Sequence, residues 1–137
     1  MSLGIPLNTD STLKGQTVFL AERCGELMHD DIITDRTILD VMAFTMNAKS
    51  IPYQDKEAFE TYASEFIREY DHIFYISPYG IEIEDNGIRE TDEQYRDLID
   101  STITTLINKH GHKAGKINKI SGTTEERTLQ ILHFLQS

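Results

Sequence analysis

Asp35 and Arg36 stand between a short apolar run, Ile32-Ile33-Thr34, and the start of a helical pattern at Thr37-Ile38. A carboxylate there can hold Mg²⁺ or a hydroxyl, and a guanidinium can take a phosphate. Ligands of open α/β sheets bind beyond the carboxyl ends of the strands, so an acid-base pair between strand and helix has the layout of a phosphate-handling site. The loop G-x-x-x-x-G-K-[ST], whose amides and lysine cradle nucleotide phosphates, does not occur in the 137 residues. The same pair also suits a plainer part. Asp and Thr start helices by accepting backbone N–H bonds, with Arg36 then a surface cation, and Asp40 lies one turn into the helix, where the dipole favours an anion.

Other residues of the sequence admit the same two kinds of role. Arg89 belongs to a stretch rich in charge and glycine, Tyr79 to Glu90, just before a helix start. Such a loop can carry a cation to a transition state, or it is only a solvated surface. Glu82, Glu84 and Asp85 lack calcium-loop spacing and read as a solvated loop. His110-Gly111-His112 has no third metal ligand at suitable spacing and reads as an exposed helix end. No nucleophile turn marks a covalent hydrolase.

Composition narrows the classes further. The net charge of -10 argues against direct nucleic-acid binding. Without an apolar run of about 18 residues or a basic leader, neither a membrane span nor a secretory signal is expected. Cys24, the single cysteine, cannot form an internal disulfide; it reads as a small core residue in a reducing, cytoplasmic setting.

The elements that must position these residues follow from periodicity. Residues 1–12 have little pattern and read as a start scar and loop. From Leu13 to about Met28, Thr17, Leu20, Ala21, Cys24, Leu27 and Met28 have helical spacing. Ile32-Ile33-Thr34 reads as a short buried strand. Ile38, Val41, Met42, Thr45 and Met46 make a second helical stripe, ended by Ser50-Ile51-Pro52. Phe59, Tyr62, Ala63, Phe66, Ile67 and Tyr70 make a third. Asp71 to Pro78 reads as a strand, Thr91-Asp92-Glu93-Gln94 as a capping box opening a long helix, and Ile117 to Ser121 as another strand. Gly122 makes a turn. Thr123-Thr124-Glu125-Glu126 then caps a last helix expected to bury Leu129, Leu132 and Leu135. Strands separated by helices predict an α/β fold with a parallel sheet.

The segments TDRTILDVMAF (34–44), YDHIFYISP (70–78), EDNGIRETDEQYRDLID (84–100) and ISGTTEERTLQIL (120–132) occur in an order that resembles the second half of a P-loop nucleoside or nucleotide kinase. The likeness is to the kinase-like ATPase domain related to ribosylnicotinamide kinases and, more distantly, to thymidylate kinase. It implies a three-layer P-loop NTPase-like parallel sheet flanked by helices, using ATP and Mg²⁺ on a nucleoside, nucleotide or similar small acceptor. Asp35 would position Mg²⁺ or the acceptor hydroxyl, and Arg36 would contact phosphate or acceptor. Arg89 would be the lid arginine, with Arg96 a second candidate; Gly122, Thr123 and Thr124 would lie beside the adenine. The family's first strand, Walker A loop, first helix and second strand should precede Gln16, so residues 13–137 correspond to a partial domain with its N-terminal strand-loop-helix portion missing. Either the sequence is a shortened one or it has lost nucleotide binding. The reading favours the former, with weak ATP binding, an uncovered apolar face and self-association as expectations, and a non-catalytic interaction module on a degraded P-loop fold as the alternative.

Overall fold

The computed structural model describes residues 11–77 and 90–136. Among these lie five α-helices and a sheet of two parallel strands, in the order α1 (Leu13–Glu26), α2 (Ile38–Met46), α3 (Tyr53–Ser64), β1 (His72–Ile76), α4 (Glu90–His110), β2 (Lys116–Ile120) and α5 (Thr124–Leu135). None of the helices is long and apolar enough to cross a membrane. The expected mixed α/β class and parallel pairing are present.

Helix α2 is the centre of the core because nearly every side chain on it is apolar and every neighbouring helix uses it. Ile38, Leu39, Val41, Met42, Ala43 and Thr45 are buried. Helices α1, α3 and α4 all pack on it. Its start is fixed reciprocally. The Thr37 hydroxyl accepts from Leu39 N–H at 3.1 Å, and Asp40 Oδ2 accepts from Thr37 N–H at 2.7 Å. Between them these bonds satisfy donors that a helix start otherwise leaves open. The next amide, Ile38 N–H, donates to the Tyr70 hydroxyl at 3.1 Å, tying α2 to the chain just before β1. Burial drives the Tyr70 phenol up to about 12, so it stays protonated at physiological pH.

Strands β1 and β2 pair in register from His72 with Lys116 to Ile76 with Ile120. The approach to β2 requires glycine at 115, since a Cβ there would sit 2.4 Å from the Asp71 carbonyl oxygen. Parallel strands need a long crossover, and α4 lies within it. It is pinned to α3 at its far end, where Glu60 accepts from both Lys109 and His110. His110 is therefore buried, contrary to the expectation of an exposed helix end.

Two further expectations are corrected. Ile32-Ile33-Thr34 is not a strand: Ile33 is 89% exposed, and the described sheet contains only β1 and β2. An apolar run becomes a buried strand only beside a pairing partner, and neither of the described strands pairs with it. Leu129, Leu132 and Leu135 are 67%, 48% and 46% exposed rather than buried. Helix α5 rests on the sheet through its other side, packing on β2 and setting Phe134 against Phe74 of β1, and its leucines stay largely exposed.

Candidate functional site

A cavity of about 340 Å³ opens between α1 and the start of α2, lined by Arg23, Arg36, Asp40, Gln16, Phe19 and Phe44 among others. That lies at the small end of the range for ligand clefts, about 300–1,000 Å³. Its walls are chiefly apolar, and its charged groups are two cations, Arg23 and Arg36, and two carboxylates, Glu22 and Asp40. Arg23 projects from the last turn of α1 and pairs with Glu26 at 3.0 Å. Asp40 sits in the first turn of α2, and Arg36 in the segment just before it.

Arg36 is held in an unusual way. Its φ is 145°, a region that side-chain-bearing residues rarely enter, and its carbonyl accepts from the Thr34 hydroxyl at 2.9 Å. Such backbone costs of order 1–3 kcal/mol and persists where the surroundings impose it. The side chain is exposed yet lines the cavity mouth. Burial raises the Asp40 carboxyl above its ordinary value, opposed by the bond from Thr37 N–H and by the positive charges of Arg36 and Arg23. Two guanidiniums thus act electrostatically on one desolvated carboxylate at the cavity wall. An anionic ligand there would add a counter-charge to Arg36, while Asp40 is engaged in its cap, Arg23 is paired with Glu26, and Glu22 stands on the same wall.

The residues singled out by sequence fare differently. Arg36 reaches the cavity; Asp35, beside it, is exposed and does not line it. Arg89 and the acidic residues Glu82, Glu84 and Asp85 lie outside the described residues. Arg96 is half-buried on α4, its Nε sealed from solvent without a hydrogen-bond partner, and does not line this cavity. Gly122 takes a φ of 99°, a value that favours glycine, where the chain turns from β2 into α5. The Thr123 hydroxyl accepts from Glu126 N–H at 3.1 Å, and Thr124 Oγ accepts from Arg127 at 3.1 Å. These three residues are thus occupied in starting α5. A more open groove between α4 and the sheet holds a hydrogen bond from the Tyr75 hydroxyl to Asp100, with Lys119 at its side. Cys24 is a free, half-buried thiol, and burial raises its pKa, which favours the protonated form.

Mg²⁺ is commonly held by one or two carboxylates together with substrate phosphates. Among the described residues no three His, Cys, Asp or Glu side chains gather to hold a metal, and Asp35 stands exposed.

Sequence reasoning missed Gln16, Phe19, Arg23 and Phe44. One signal was available: Gln16 is polar but precedes Leu20 and Cys24 at intervals of four, which places it on the inward stripe of α1. Nothing in the local sequence shows that α1 and α2 leave a gap between them.

No family model matches the chain, and neither the curated proteins nor the solved structures contain a match.

Proposed function

We propose that the chain carries the acceptor-binding side of a phosphotransferase-like or ATPase-like domain of P-loop type, acting on a nucleoside, nucleotide or similar small acceptor. The observation that carries this reading is Arg36, held at positive φ on the mouth of a cavity that also contains Arg23 and the desolvated Asp40. A strained arginine is difficult to account for as a surface charge, because a relaxed backbone would serve solubility as well. It is readily accounted for as a preorganised anion contact. In this reading Arg36 takes the acceptor's anionic group, Phe19 and Phe44 provide apolar surface for its ring, and the fixed start of α2 orients it. Positioning of this kind is the larger part of catalysis in phosphoryl transfer. The phosphate-cradling loop is absent from the sequence, so ATP·Mg²⁺ should bind weakly or not at all.

The test is a titration with a panel of nucleosides and nucleoside monophosphates, followed by amide chemical shifts. Monophosphates should move the signals of Arg36, Thr37 and Phe44, and Arg36→Ala should abolish those movements. Shifts confined to other parts of the chain would refute the assignment.

The exposed leucines of α5 favour a second reading, an interaction module that pairs with another copy of itself. Sedimentation of wild type and Leu132→Glu separates the two. A wild-type chain that stays monomeric at high concentration excludes the second reading and leaves the first intact.

A further inference from the structure

The groove between α4 and the sheet is lined by two facing rows of side chains. Asp100, Thr104 and Ile107 recur at intervals of four and three, which places them on one side of α4. Opposite them stand Tyr75, Ile117 and Lys119 on one face of the sheet, where Tyr75 and Lys119 are register partners. Both lie near the carboxyl ends of their strands, the end at which open parallel sheets bind ligands. The groove measures about 450 Å³, within the range of ligand clefts.

Its charges do not neutralise each other. The Tyr75 hydroxyl donates to Asp100, and burial followed by that bond pushes the phenol up, so it stays a donor. A carboxylate accepts several hydrogen bonds at once, so Asp100 is oriented by Tyr75 and still able to accept. Lys119 is exposed and brings three donors on its ammonium. Neither Asp100 nor Lys119 enters an ion pair among the described residues, although both line the groove. A carboxylate and a cation that share a groove without meeting can both be served by a ligand between them. A lone anion would be repelled by Asp100, and a lone cation by Lys119. A zwitterion satisfies both, its ammonium donating to Asp100 and its carboxylate accepting from Lys119. Having no net charge, it also escapes the repulsion that a chain of net charge -10 exerts on anions. Ile107 and Ile117 offer apolar surface to its side chain.

We propose that this groove is a second binding site, taking a zwitterionic α-amino acid with an aliphatic side chain, its ammonium on Asp100 and its carboxylate on Lys119. It is separate from the cavity between α1 and α2 and stands whether or not that cavity takes an acceptor. Tyr75 is a positioning residue, since it fixes the carboxylate that receives the ammonium.

The probe is L-leucine. It is compared, in calorimetric titrations of the full chain at about pH 6, with leucinamide, which keeps only the ammonium, and 4-methylpentanoate, which keeps only the carboxylate. Leucine should bind roughly tenfold or more tightly than either, the scale of one charge-assisted hydrogen bond. Lys119→Met should abolish the preference over leucinamide and keep the preference over 4-methylpentanoate. Asp100→Asn should do the reverse. Tyr75→Phe should narrow only the preference over 4-methylpentanoate, a selectivity that general loss of structure would not produce. Lys119 is exposed, so its replacement leaves the fold intact and decides the matter should the other variants unfold. Failure of leucine to bind at millimolar concentration, equal binding of the three compounds, or preferences that survive Lys119→Met unchanged would overturn the site and leave Lys119 as a charge guarding the strand edge. None of these results bears on Arg36 or the cavity it lines.

Discussion

Helices α2 and α5 open on the same device and end in opposite circumstances. Each begins with a threonine whose hydroxyl accepts a backbone N–H, and an acidic side chain three residues on reaches back to the threonine amide. Helix α2 then buries six of its nine residues, while α5 buries none of its twelve. The capping motif therefore decides where a helix starts and says nothing about how deeply it sits. Depth is set by what converges on it: three helices, α1, α3 and α4, on α2, and only the edge of the small sheet, chiefly β2, on α5.

The largest effect should separate the two helices by side-chain truncation. Met42 is fully buried in α2, and Met42→Ala should cost about 2–5 kcal/mol through lost transfer energy and the cavity left behind. Leu132→Ala on α5 should stay within about 0.5 kcal/mol at dilute protein, as for other exposed positions. Urea denaturation of both variants checks this. Comparable losses would mean that the leucine face of α5 is covered in solution.

A smaller difference is expected at the caps. Thr37→Ala should cost about 1 kcal/mol, the usual worth of such a residue. Thr123→Ala should cost less, because fraying of α5 exposes little that is buried. Equal effects in thermal melts would show that cap strength is independent of what the helix packs against.

The smallest effect is in pH. Burial raises the folded-state pKa of Asp40, so the folded chain takes up a proton more readily than the unfolded one as pH falls. The contribution of Asp40 to stability is therefore least at neutral pH and improves as pH falls through the raised value toward its ordinary 3.8. Glu60 behaves in the opposite sense. Burial acts to raise it, but hydrogen bonds from Lys109 and His110 outweigh this and hold it low. Its contribution is present above the ordinary 4.5 and lost as pH falls through the lowered value. Melts of wild type and Asp40→Asn isolate the first effect: wild type should gain on the variant between neutral pH and about pH 4. A gap that is constant with pH would remove Asp40 from the account.

What could be read from sequence divides along the same line as the helices. The stripe Ile38, Val41, Met42 and Thr45, the strands around Ile73 and Ile117, and the Thr123–Glu126 box are local patterns, and the chain follows them, whereas α2 already ends at Met46 and Pro52 stands at the start of α3. Ile32-Ile33-Thr34 and the α5 leucines are equally apolar, but apolarity states a preference for burial and cannot supply the partner that realises it. Of the residues that line the cavity, Arg36 stands out in the sequence through its neighbours in the chain. Gln16 and Arg23 do not, because their relevance arises only when α1 lies across the start of α2.

The central claim is that Arg36 is kept strained at the cavity mouth for the sake of an anionic ligand. Replacing it with glycine removes the strain and the charge together, so the most direct measurement pairs a denaturation curve with a uridine 5′-monophosphate titration on Arg36→Gly. The account predicts a chain more stable than wild type by about 1 kcal/mol, since glycine adopts positive φ freely, that no longer binds the nucleotide. A variant that gains the stability and binds as wild type does would show that the strain serves no ligand, and would contradict the account.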